Sequence, residues 1–319
     1  MNKPTQEIVG ETGGASISHS VLEALAGFYS AWGRQTMLQG GALWFDCGAF
    51  STMSVLTTVP TSIADRGVRG ILSRTRKLAA VYRVAAGAGL EVPMFMLRDK
   101  KYSAANLQRQ FRQHVERASS FLEARECSWE EWETRALNCD RQTLARQGGS
   151  PQPGQGVLCP AVRRRIAEAA RAVPRLRIHA CFHGEEIVAY LIHVAFGEMC
   201  EGLLAHRVDS QIDSPTRHAS HLLYFSFARA AISDPDIQAV CVGRQSLPAK
   251  ESLTRFKHHA GFLPEPCHLR FRLHPVLAPF LENGFSAALL KRVRVGLSGK
   301  IPALANLEVM EQAGLCGRR

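Results

Sequence analysis

The run Gly148-Gly149-Ser150-Pro151-Gln152-Pro153-Gly154 limits more than any other feature how this chain can fold. Glycine loosens the backbone there and proline removes ladder and helix donors, so neither a helix nor a central strand can pass through it. Regular structure must end before this run and begin again after it. That places a domain boundary in a chain of 319 residues, long enough for two domains of ordinary size. We expect a polar tail over 1–15, an N-terminal domain over 16–150, a second domain over 155–290, and a basic helical tail over 291–319.

The 46% apolar content can supply a core for each half. No apolar run is long enough to span a membrane, and the first residues lack the apolar core of a secretion signal. Nine scattered cysteines never form C-x-x-C, which fits reduced thiols in a cytoplasm and indicates neither a disulfide framework nor a zinc site. A soluble cytoplasmic protein is the expectation.

Periodicity orders the elements. Residues 18–32 carry Val21, Leu22, Leu25, Phe28 and Tyr29 at helical spacing, and 42–59 read as strands. A helix over 63–73 and strands over 78–85 and 92–97 follow. Ser103 is placed to cap a basic helix over 104–118; Ser128 with Glu131 makes a capping box for a helix over 129–147. Beyond the Gly/Pro run the pattern is a helix (161–173), three strands joined by tight turns (176–182, 187–196, 201–208), a helix (220–232), a strand (237–242), a helix (249–259) and a final strand (267–273). Three meander strands followed by a crossover helix set the next strand parallel to an earlier one. The class is α+β, a mixed sheet flanked by helices.

The net charge of +11 is concentrated: residues 65–117 hold twelve Lys/Arg against four acids. Lys100, Lys101, Arg109 and Arg112 gather before and along one predicted helix. They suit contact with RNA phosphates, or a solvated helix face. Arg141, near the end of the helix before the Gly/Pro run, has the same two readings.

Family resemblance adds to this pattern. Residues 253–262, Leu-Thr-Arg-Phe-Lys-His-His-Ala-Gly-Phe, follow a strand ending at Gly243 and resemble the "FK..(M/F)G(F/Y)" signature of FemAB-like proteins in the GNAT superfamily. Residues 271–281 resemble the closing segment of uncharacterised GNAT-family N-acetyltransferase-like proteins, and 139–148 resemble the end of the domain-linking helix in the same group. The resemblance covers about residues 100–281 and implies a GNAT-like mixed sheet; FemAB proteins carry two tandem copies, so 16–150 is expected to be a divergent first copy and 155–290 the transferase domain. It implies transfer of an acyl or aminoacyl group to an amine or hydroxyl acceptor, small or peptide-like. Acetyl-CoA-dependent members carry a glycine loop for the pyrophosphate, but here the segment is Pro215-Thr216-Arg217-His218-Ala219-Ser220-His221. A Cβ in place of each glycine crowds the approach to phosphate. The FemAB group, which takes aminoacyl groups from charged tRNA, shares that lack. The donor expected is therefore aminoacyl-tRNA, with acyl-CoA as the alternative and a non-catalytic binding module as a third reading.

On this resemblance Lys257, Arg255, Arg217, His218, Ser220 and Phe256 are the candidate donor-binding residues. Glu201, His206 and Asp209, on or beside the central strand, are the candidate bases. Lys257 and Arg255 have the competing reading of solvated helix residues. His218 and His221 stand three apart, but no third ligand is indicated, so no metal is expected.

Overall fold

The computed structural model describes residues 17–47, 51–146, 156–208, 214–245 and 251–276. The first half runs α1 (His19–Ala31), β1 (Thr36–Gln39), β2 (Ala42–Asp46), β3 (Ser51–Ser54), α2 (Asp65–Thr75), β4 (Ala79–Val84), β5 (Leu90–Leu97), α3 (Arg109–Ser119), β6 (Glu123–Cys127), α4 (Trp129–Arg135) and α5 (Leu137–Arg146). The second runs α6 (Pro160–Arg171), β7 (Leu176–His183), β8 (Glu186–Phe196), β9 (Met199–Arg207), α7 (Ala219–Ser233), β10 (Ala239–Arg244), α8 (Glu251–His259) and β11 (Leu263–Leu273). The Gly/Pro run, the segment 1–15 and the tail 291–319 lie outside the described residues.

Two expected helices are shorter than their periodicity suggests. Ser103 caps only a brief 3₁₀ turn, because Leu107 and Gln108 are extended before α3 begins. The capping box of Ser128 and Glu131 forms as read, but that helix stops at Ala136, and α5 starts afresh. The break brings Asp140 to a buried position that proves important below.

All eleven strands join one sheet, in the order β1-β2-β3-β4-β11-β5-β10-β9-β8-β7-β6. The meander β7-β8-β9 is antiparallel, and the crossover through α7 returns β10 parallel to β9, as the pattern required. β5 pairs with both β10 and β11, and β11 reaches on to β4. Strands from before and after the Gly/Pro run are thus interleaved. Among the described residues no helix is long and apolar enough to cross a membrane.

Alternation assigns the helices to faces. His179 on β7 bonds Ser226 of α7 at 2.9 Å, whereas Tyr190 on β8, opposite the neighbouring Ala180, bonds Asp140 of α5. Successive residues point to opposite faces, so α7 covers one side of the sheet and α5 the other.

Candidate active site

The eleven-stranded sheet opens between β9 and β10. They pair only at Met199–Ala239, Cys200–Val240 and Glu201–Cys241. Both strands bulge just past that last pair. On β9, Leu203 is the extra residue between the Ile192–Leu204 and His193–Gly202 pairs. On β10, Val242 and Gly243 together face the single Phe95 of β5. Gly243 has φ +80, a conformation that costs a residue with a Cβ. An extra residue bends its strand and strengthens the local twist, so two bulges side by side part the strands. The edges facing each other beyond Glu201 and Cys241 lose their ladder and can bond a ligand instead.

Two cavities flank the gap. One, of about 520 Å³, is lined by Tyr29, Phe45, Glu201, Leu203, Gly243 and Arg244 among others. The other, of about 380 Å³, is lined by Thr143 and Arg146 of α5, His206 of β9, Ser220 of α7 and Phe256 of α8. Ala205 and Tyr224 border both. Residues from α5 and α7, which cover opposite faces, meet in one cavity because the sheet is parted there.

Glu201 sits where the strands diverge, buried. One carboxylate oxygen accepts the Thr57 amide and hydroxyl at 2.7 and 2.8 Å, and the other accepts the amide and hydroxyl of Thr58. Arg83 grips the same dipeptide through its two carbonyls. Burial pushes the Glu201 carboxyl above its ordinary range even against these bonds. With both oxygens filled, Glu201 is corrected from a candidate base to a strap that ties β9 to the first half of the chain.

Five residues on, His206 is arranged differently. Its Nδ1 lies 2.6 Å from Asp140 Oδ1 and 2.9 Å from the Tyr190 hydroxyl. Tyr190 donates to the same Asp140 oxygen, while Arg163 holds the other and stacks over Trp132 at 4.1 Å. Asp140, Tyr190, Arg163 and His206 are all buried. A carboxylate oxygen accepts, so Nδ1 is the donor in this pair and Nε2 is the ring nitrogen that Asp140 leaves free. Burial and Asp140 push the Tyr190 phenol well above its usual range, which keeps it a donor.

Of the remaining sequence candidates, Ser220 and Phe256 line the smaller cavity. Lys257 does not line either one. It is buried, donates at 3.2 Å to the carbonyls of Gly243 and Arg244, and lies 4.8 Å from the Phe95 ring centre. Burial lowers its pKa to about 8. It braces the bulge of β10, and the expectation of a phosphate contact is corrected accordingly. Lys100 is likewise taken up, bonding the carbonyls of Ile232, Asp234 and Ile237 where α7 ends. Lys101, Arg109, Arg141, Arg217 and Arg255 are exposed and Arg112 half-buried. His218 packs against His114 and His221 away from both cavities. Asp209 lies outside the described residues.

Sequence reading missed Asp140, Arg163, Tyr190 and Arg244. The first three gain their meaning only when α5, α6 and β8 converge. Arg244 could have been seen as a charge directly after a buried strand and a glycine; it lines the larger cavity, and burial lowers its pKa.

No protein-family model matches the chain, and no curated protein matches it. Solved structures do. The C-terminal domain of a protein from Agrobacterium fabrum, described as a lysylphosphatidylglycerol synthetase, aligns with a TM-score of 0.50 at 12% identity over 87% of this chain and 93% of its own. FemX aligns with a TM-score of 0.49 at 9% identity, over 82% of this chain and 93% of its own. A tandem GNAT protein from the clavulanic acid biosynthesis pathway gives 0.42 at 10% identity, over 73% and 79%. The fold is GNAT-like, as the resemblance of residues 100–281 implies.

Proposed function

From that fold, we propose that this protein is a transferase moving an acyl or aminoacyl group onto an amine or hydroxyl acceptor. The single observation that carries the reading is the parted pair β9 and β10, with a cavity on each side and a carboxylate-held histidine on one wall. In such a gap the donor's carbonyl replaces the missing ladder partner, and strand-edge N–H groups stabilise the oxyanion that develops on attack. His206, oriented by Asp140 and Tyr190, takes the proton from the attacking amine or hydroxyl through Nε2 and gives it to the donor oxygen or thiolate, which leaves as the adduct collapses to the acylated acceptor. No covalent intermediate with the protein is needed.

The donor enters from the smaller cavity, where Ser220 in the first turn of α7 brings the positive end of a fifteen-residue helix. The acceptor occupies the larger cavity. Arg244 lines this cavity with no carboxylate among its charge neighbours in the described residues, and supports an acceptor with a carboxylate or phosphate group. The donor we favour is aminoacyl-tRNA, supported by the absence of glycine from 214–221 and by the exposed Lys101, Arg109, Arg217 and Arg255. An acyl-CoA thioester remains the rival donor. Cytoplasmic chemistry accords with the thiols, since the eight described cysteines are all unpaired.

The test is a donor panel. Charged tRNA is expected to bind with a steep loss of affinity as salt rises, and to lose its aminoacyl group when an extract of small anionic amines is added. Micromolar affinity for coenzyme A, with consumption of its thioester, would reverse the choice of donor. If no donor is consumed with any acceptor pool, the transferase reading fails.

A further inference from the structure

We infer that His114, His218 and His221 form a zinc site where α3 packs on α7, with three imidazole ligands and a fourth position left for water or an anion. The sequence offers only the i, i+3 pair on α7; the third ring comes from a helix a hundred residues earlier. Each ring presents a nitrogen within 4.8 Å of those of the other two. His114 Nδ1 and His221 Nε2 are 3.2 Å apart, close to the ~3.3 Å separating two nitrogens on a tetrahedral zinc with Zn–N near 2.0–2.1 Å.

One observation distinguishes this cluster from ordinary packing. Nδ1 of His218 is buried without any hydrogen-bond partner. Native interiors seldom leave such atoms unpaired, and an unfilled ion position is one of the recognised reasons. His114 and His218 stack at 4.0 Å, and His221 stands edge-on to both. Phe111 and Phe256 wall His221 at 4.7 and 5.2 Å.

The ligand set suits zinc, cobalt or nickel over magnesium or calcium, because it contains nitrogen and no carboxylate. Three neutral ligands leave the ion its full charge. Arg217 and Arg117, whose charges reach His114, would then favour an anion in the fourth position. Bound metal would pin the first turn of α7, which holds Ser220, to α3. The inference does not depend on the proposed transfer reaction.

The experiment is metal titration of chelator-stripped full-length protein. One equivalent of Zn²⁺ is expected to bind with submicromolar Kd by calorimetry, and Co²⁺ to give the intense visible bands of four-coordinate nitrogen ligation. His114→Ala, at a half-buried position, should weaken Zn²⁺ binding at least about tenfold, whereas His259→Ala should not. Substoichiometric or millimolar binding by the wild type would overturn the assignment, as would affinity unchanged by His114→Ala. The Co²⁺ spectrum of the wild type reads the ligands even if a variant folds poorly; a six-coordinate spectrum would also overturn it.

Discussion

Two points on β9, five residues apart, show how one strand separates scaffold from chemistry. At Glu201 a buried carboxylate meets four donors from Thr57 and Thr58, so none of its acceptor capacity faces a substrate. At His206 the buried carboxylate belongs to Asp140 and is turned toward Nδ1, which leaves the far nitrogen of the ring for chemistry. Both groups line the gap between β9 and β10. What separates them is saturation. A titratable group whose partners fill every site holds structure in place, whereas one held on a single side can exchange a proton.

His206→Gln should sharpen this contrast most, because the amide can still donate to Asp140 but has no basic nitrogen. Turnover is expected to fall by about 10²–10⁴-fold, with the melting temperature moved by only a few degrees, in assays of donor consumption alongside thermal unfolding. Undiminished turnover would move the base elsewhere. Glu201→Ala should do the reverse. It leaves the Thr57 and Thr58 amides buried and unpaired, and should cost about 2–5 kcal/mol in chemical denaturation while the folded fraction keeps near-normal turnover. Lys257→Met has the smallest expected effect. It keeps the stem on Phe95 but strips the carbonyls of Gly243 and Arg244, for about 1–3 kcal/mol, and donor affinity should stay within about twofold. A large loss of donor affinity would restore Lys257 as a phosphate contact.

The order of elements in the second half was legible because each strand and helix there follows its own period and is punctuated by turn residues such as Gly184 and Gly197. The partnership of β5 with β10 and β11 was not, since strand pairing across a hundred residues leaves no local trace. The same limit explains the site. His206 could be picked out as a histidine on the central strand, but its carboxylate came from a helix that periodicity fused with its predecessor across Ala136. Lys257 misled for the opposite reason. A lysine in a basic helix end resembles a phosphate contact until the bulge at Gly243 reveals carbonyls beneath it. His218 and His221 were visible as a pair, and only packing of α3 on α7 supplied His114.

The central claim is that the gap between β9 and β10 is where donor and acceptor meet, and Ala205 tests it most directly. This exposed residue borders both cavities, so Ala205→Trp should block the junction with little cost to the fold. In a single-turnover assay with a labelled donor, the account predicts that the variant binds donor as the wild type does but transfers at least about a hundredfold more slowly. Transfer at the wild-type rate through a filled gap would contradict it.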